Sequence, residues 1–212
     1  MKPRTARARG KSVSARSAGT IGAETLVREL NHRVKNNFQI IVSLMNLKKR
    51  MMPAERRAEL RFIEEHVQAM SVAYRLVYAS GEMDSVAVAE VMVETIGALR
   101  QISGLSQELL TVESHGIDHM VTLDFAIAVA LYLAALLPPF FDSAFATLGS
   151  LSIALFPTTS DVTISVKWDG EAPAFTDLLR GRLLTAYATQ IQARHLPTMD
   201  GEAMRIAFAL EN

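Results

Sequence analysis

Apolar residues recur at alternating spacings of three and four through the first third of the chain. Val27, Leu30, Val34, Ile41 and Leu44 form one stripe of a helix predicted from about Ala23 to about Met51, starting near Thr20 or the Ile21-Gly22 pair. Pro53 interrupts the pattern. A second helix is predicted from about Ala54 to Ala79, where Leu60, Ile63, Val67, Met70, Tyr74 and Val77 repeat as a heptad seam. Two long helices joined by a tight turn make an antiparallel hairpin. One hairpin buries a single stripe per helix, whereas two make a four-helix bundle, so a homodimer is the economical solution. Lys48, Lys49 and Arg50 complement the dipole at the end of the first helix.

Ser80-Gly81-Glu82 is a candidate boundary. After it the periodicity changes repeatedly: a helix over Val86 to Gln101, a strand over Leu109 to Ser114 and an apolar helix over Asp124 to Phe141. Leu151 to Phe156 and Val162 to Trp168 alternate as paired strands, with Pro157 to Asp161 as their turn. A helix over Leu178 to Arg194 and a strand over Met204 to Leu210 complete the pattern. Helices mixed with antiparallel strands in this order predict a two-layer α/β sandwich. The fold class expected for the whole chain is α+β.

The polar positions of the first helix carry the candidate chemistry. His32, Lys35, Asn36 and Gln39 share one helical face, and Arg33 and Asn37 adjoin them. A histidine nitrogen is largely unprotonated and nucleophilic near neutral pH. Flanked by a cation and amide donors, it suits a group that carries phosphate briefly, with Lys35 and the amides steadying phosphoryl oxygens. An ordinary surface histidine on an amphipathic helix is the plainer alternative, but it does not account for Arg, Lys and two Asn in this order.

The run L-N-H-R-V-K-N-N-F-Q-I-I resembles the phosphoacceptor helix of sensor histidine kinases of the HisKA_2 and HWE type, which reads roughly L-x-H-R-x-K-N-N-L-Q. The resemblance implies a dimeric bundle displaying one His32 on each side, followed by an ATP-binding α/β domain. That second domain departs from the family pattern. Where such proteins read A-I-P-L-G-L-I-L-N-E-L-V-T-N-A-L-K-H-A-F, this chain reads AIAVALYLAALLPPFFDSAF from Ala126 to Phe145. Ala135 stands at the acid and Pro139 at the magnesium-binding Asn, while Asp142 and Ser143 replace Lys and His. The D-x-G-x-G box corresponds to WDGEA, so Trp168 takes the adenine-binding Asp position, Gly170 is kept and Ala172 replaces the second glycine. The later stretch PAFTDLLRGRLLTAYATQ offers only Gly181. Phosphate cradling needs close backbone N–H groups, and magnesium needs oxygen ligands. No cofactor is therefore expected on this chain.

The resemblance then implies a histidine phosphotransferase on a histidine-kinase scaffold. His32 accepts phosphate from an aspartate of one receiver domain, such as that of a hybrid kinase, and passes it to a response regulator. Magnesium is expected in the partner receiver. Lys35 is the favoured counter-charge, and Asn36 positions the phosphoryl group or a water. Arg33 and Asn37 are secondary, Asn37 alternatively serving as a polar register position in the bundle seam. The alternatives are a pseudokinase that binds receivers without carrying phosphate, and a response-regulator phosphatase using Asn36. Trp168 reads either as an aromatic filling the former pocket, which is favoured, or as a partner-facing anchor.

Charge and composition add limits. The formal net charge of the 212 residues is zero, yet Lys2, Arg4, Arg7, Arg9, Lys11 and Arg16 make residues 1–16 basic without an acid. Residues 1–20 read as a basic disordered tail, 21–82 as the hairpin and 83–212 as the degenerate α/β domain. The tail lacks interleaved aromatics, so no nucleic-acid partner is expected. There are no cysteines, and the early residues lack a signal-peptide core, so a cytoplasmic protein is expected. Phe125 to Phe141 passes without a charge, but Pro138, Pro139 and acidic flanks favour a buried helix over a membrane span. His66, His115, His119 and His195 show no metal-ligand spacing, and no metal site is expected.

Overall fold

The computed structural model describes residues 29, 33–34, 36–53, 56–79, 85–117, 119–170, 173, 175–199 and 201–210. The expected tail and the start of the first helix lie outside them. Helix α1 is continuous over residues 36–51, and Glu29, Arg33 and Val34 are helical as well. Helix α2 spans Arg57–Ala79.

The packing of α1 corrects the expected seam. Val34, Phe38, Val42, Met45 and Lys49 are the half-buried to buried positions. Phe38 meets Tyr74 of α2 with ring centroids 5.3 Å apart, and Lys49 Nζ lies 2.7 Å from Glu64 Oε2. Ile41 and Leu44 instead belong with Ile40, Leu47 and Met51 on the opposite, exposed side. The sequence stripe thus joined residues of two apolar faces. On α2, Ala69, Val72, Ala73, Leu76 and Val77 are buried in the same cluster as α3 and α4, so the second hairpin helix shares one core with the α/β elements. Its alanines allow close helix approach.

Strand β1 (Ser85–Ala87) pairs antiparallel with β3 (Met120–Thr122). That pairing holds Val86 extended, so α3 begins at Val88 rather than at the expected 86 and runs to Ser103. Gly104 ends it at φ 74°, a left-handed conformation that glycine adopts without steric cost. A 3-10 turn at Gln107–Leu109 leads into β2 (Leu110–Ser114).

The single apolar helix expected over 124–141 is two helices, α4 (Leu123–Leu136) and α5 (Pro138–Thr147). Thr122 caps α4 by accepting from the Phe125 amide. Ten of its residues, including Phe125, Tyr132 and Leu133, are buried, as a helix apolar all round requires. The stretch Leu123–Thr147 is long and apolar enough to cross a membrane, but 72% of its most apolar window is buried within the protein. The break falls at Leu137 because Pro138 and Pro139 carry no N–H to continue the ladder, while prolines suit the first positions of α5.

Strands β4 (Leu151–Pro157) and β5 (Asp161–Trp168) pair antiparallel from Leu151↔Trp168 to Pro157↔Val162. Thr158 closes their turn, its hydroxyl oxygen accepting from the Ser160 and Asp161 amides. Helix α6 spans Leu178–Gln190, ending before the expected 194 because Arg194–His195 forms a short strand, β6. Strand β7 (Glu202–Ala209) completes a five-stranded sheet of order β2-β4-β5-β7-β6. One pair, β2 with β4, is parallel, which the reading of antiparallel strands had not included. The class is α+β, as expected.

Candidate functional site

Arg33, Asn36 and Asn37 all stand exposed on α1. Arg33 turns its Nε to Glu29 Oε1 at 2.9 Å, one turn back along the helix. Asn37 begins a run of 3,4 spacings, Asn37, Ile40, Leu44, Leu47 and Met51, on the outward side of α1. The apolar members of this run are exposed, Leu44 by 59% and Met51 by 76%, and Ile63 of α2 is exposed as well. His32 and Lys35 lie outside the described residues, as does Ala172.

The positions that depart from the kinase pattern gather elsewhere. Ala135 is completely buried near the end of α4, and Pro139 half-buried in the first turn of α5. In an unbroken helix the amides of residues 138 and 139 would donate to the carbonyls of Ala134 and Ala135. Two prolines remove both donors. Arg180 of α6 replaces them: its Nη1 donates to Ala134 O at 2.9 Å and reaches Ala135 O at 3.5 Å. Asp177 sets the start of α6, its carboxylate accepting from the Leu179 and Arg180 amides at 2.8 and 3.1 Å. That cap places the Arg180 side chain against α4.

The same guanidinium carries an ion-pair network. Arg180 Nη2 lies 2.8 Å from Glu65 Oε2 on α2, and its Cζ lies 5.1 Å from the Phe62 ring centroid. Arg61 holds the other Glu65 oxygen at 3.0 Å and reaches Asp142 Oδ1 of α5 at 2.7 Å. Glu65 is only 1% exposed. Burial raises its pKa, outweighing the Arg180 hydrogen bond and the charges of Arg180 and Arg61. Together these groups line a cleft of about 410 Å³ with Phe62, Pro139, Ser143 and Thr176. Its arginines are already paired with carboxylates, so an entering phosphate would have to compete with Glu65 and Asp142. No cluster of three or more His, Asp or Glu suited to a metal occurs among the described residues.

Sequence reasoning missed Arg61, Glu65 and Arg180. The i,i+4 pair Arg61–Glu65 looks like a surface pair until α6 covers it. The signal for Arg180 lay in the prolines, whose two missing donors require a replacement.

Trp168 is buried, 8% exposed, which removes the partner-facing alternative. Its indole lies so close to Gly149 and Gly170 that a Cβ added at either would stand 2.7 or 2.6 Å from the ring. The neighbouring Asp169 is engaged with Ser150, its Oδ2 accepting from the amide at 3.3 Å and from the hydroxyl at 3.2 Å.

His66, one position after Glu65, donates from Nδ1 to Phe62 O at 2.8 Å, which leaves Nε2 as a bare acceptor without a partner among the described residues. Burial lowers its pKa below 6.5; the Phe62 carbonyl partly opposes this, and Arg180 adds to it. Below 6.5 the unfolded chain therefore binds a proton that the folded chain resists. Stability contributed by neutral His66 is present above pH 6.5 and lost as the pH falls through the depressed native value. The raised Glu65 acts in the opposite sense above 4.5, so the two must be separated by substitution. Urea unfolding at pH 7.5 and 5.5 should show a larger acid loss for the wild type than for His66→Gln; equal losses would remove His66 from the account.

Residues 29–103 match the HisKA_2 histidine-kinase family. Over the whole fold, the chain is similar to the histidine kinase domain of the Erythrobacter litoralis EL346 blue-light activated histidine kinase. That likeness has a TM-score of 0.54 at 18% identity and covers 88% of this chain and 91% of that one. A longer structure of the same blue-light activated kinase gives a TM-score of 0.51 at 16% identity, covering 84% of this chain and 59% of that one. At such identities the likeness shows the shared fold. No curated relative matches the chain.

Proposed function

We propose that the chain, whose residues 29–103 match the HisKA_2 histidine-kinase family, works in two-component signalling as a histidine phosphotransferase. In this reading His32 takes a phosphoryl group from a receiver aspartate. The acyl-phosphate P–O bond breaks, a P–N bond forms at the imidazole, the carboxylate leaves and the ring proton passes to solvent. A second receiver aspartate then takes the group by the reverse exchange. Such transfers depend on alignment and charge neutralisation, roles given to Lys35, Asn36 and, secondarily, Arg33 and Asn37. Magnesium comes with the receiver.

The observation that carries the reading is the contrast between the two halves. The run L-N-H-R-V-K-N-N-F-Q stands entire around His32. The matching nucleotide-side positions hold a buried Ala135, a Pro139 compensated by Arg180, and a buried Trp168. A chain of this kind receives its phosphate from another protein.

The exposed stripe Ile40, Leu44, Leu47 and Met51 supports a homodimer through α1, with Ile63 at its edge. Leu44→Lys, which charges this stripe twice in a twofold interface, is expected to weaken self-association roughly hundredfold. Light scattering with size exclusion should show wild-type dimers and variant monomers; a wild-type monomer at tens of micromolar would refute the dimer.

The decisive assay mixes the chain with phosphorylated receiver domains and follows acid-labile, base-stable label. Wild type should acquire label and hand it to a second receiver, and His32→Ala should do neither. Full relay by His32→Ala ends the proposal. Accelerated loss of receiver label without label on the chain assigns a phosphatase instead, and receiver binding without either effect assigns a pseudokinase. Labelling by ATP-Mg alone would restore an autonomous kinase.

A further inference from the structure

Helix α6 has thirteen residues and not one of them is buried. A helix packed on a domain ordinarily buries an apolar stripe. Here Leu184, Tyr187 and Ala188 reach the core but stay only partly covered. Between α6, α4 and β7 lies a second cleft of about 570 Å³, separate in its lining from the Arg61–Glu65–Arg180 network. Its walls include Tyr132 and Leu136 of α4, Leu184 and Ala188 of α6, Met204 of β7 and Phe175. Phe175 is held edge-on to Phe140, with centroids 6.5 Å apart. The volume falls in the range of small-molecule sites.

Two features set the chemistry of an occupant. The lining contains no lysine, arginine, aspartate or glutamate, so apart from the His195 imidazole nothing there balances a charged group. Tyr132 is 2% exposed and borders the cleft, yet its hydroxyl has no hydrogen-bond partner among the described residues. The Thr185 and Thr189 hydroxyls turn to Gly181 O at 3.0 Å and Thr185 O at 2.9 Å rather than to the phenol. Burial pushes the Tyr132 pKa up, so the phenol keeps its proton and remains a donor. The residue is buried, yet its hydroxyl is not one of the fully enclosed polar atoms left without a partner, so the oxygen opens onto the cleft and is a candidate anchor there.

We propose that this cleft binds an uncharged, largely apolar small molecule carrying a carbonyl-type acceptor, which takes the hydrogen bond of the Tyr132 hydroxyl. The ligand fills the space under α6 that the protein's own side chains leave open. Gln192 and His195 also line the cleft and add polar groups to its wall.

The test titrates the full chain with 6-propionyl-2-dimethylaminonaphthalene, a neutral aryl ketone whose emission shifts to the blue in apolar sites. Saturable, blue-shifted binding of one probe per chain is expected. Tyr132→Phe keeps the ring and loses the donor, and should bind about fivefold more weakly. Ala188→Trp fills the cleft and should abolish binding. Melting curves confirm that each variant is folded; if Ala188→Trp is not, Tyr132→Phe decides alone. No saturable binding by the wild type, or undiminished affinity in Tyr132→Phe, overturns the proposal.

Discussion

Arg180→Ala unfolds at markedly lower urea than the wild type, a loss of about 3–5 kcal/mol. The size follows from what the guanidinium satisfies. It neutralises Glu65, a carboxylate 1% exposed, and supplies the donor that Pro138 cannot give to Ala134 O. Removing one member of a buried pair leaves the other desolvated, here a Glu65 with Arg61 as its remaining cation among the described residues, whereas removing both can be nearly neutral. Arg180→Met combined with Glu65→Leu should therefore be closer to wild type than Arg180→Ala alone. A second cycle isolates the carbonyl. In a Pro138→Ala background, where the residue 138 amide can again donate, Arg180→Ala should cost about 1 kcal/mol less. Equal costs in both backgrounds would show that the carbonyl contact contributes nothing.

Trp168→Ala carries the second large effect, again about 3–5 kcal/mol, read as a lower urea midpoint at unchanged slope. The indole sits in a slot framed by Gly149 and Gly170, neither of which has a Cβ to move into the space left behind. The void persists, so both the transfer and the cavity contributions are felt. Gly170→Ala should also destabilise, since its methyl would meet the ring. Trp168→Asp, which restores the residue type of the kinase pattern, should be at least as damaging as alanine, because the carboxylate would be buried without a designed partner. A Trp168→Ala protein with wild-type stability would mean that the slot collapses on its own.

Much of this architecture is visible in the periodicity of the chain. The second hairpin helix, the end of the first, the Leu151–Trp168 strand pair and the final strand follow from local patterns, and the structure places them within a few residues. What escapes is set by partners distant in sequence. Ser85–Ala87 and Met120–Thr122 are strands only because they pair with each other. The sides of α1 could not be separated, since both are apolar and only the position of α2 tells Phe38 from Leu44. The motif that resembles a phosphoacceptor helix is local and legible, whereas Arg61, Glu65 and Arg180 come together from segments up to 115 residues apart. Charged residues at such separations carry no periodic signal. Only the missing proline donors hint that a cation must arrive from elsewhere.

The proline pair also ties residue 139 to its present neighbours. Placing asparagine at 139 would supply a backbone donor and an amide oxygen, yet Ala135 would still offer no ligand atom. Arg180 would still hold the α4 terminus and Glu65, and Trp168 would still occupy its slot. Each such substitution taken alone meets a neighbour fitted to the present residue. Such mutual accommodation makes these positions interdependent, so that single steps toward the kinase pattern are each disfavoured.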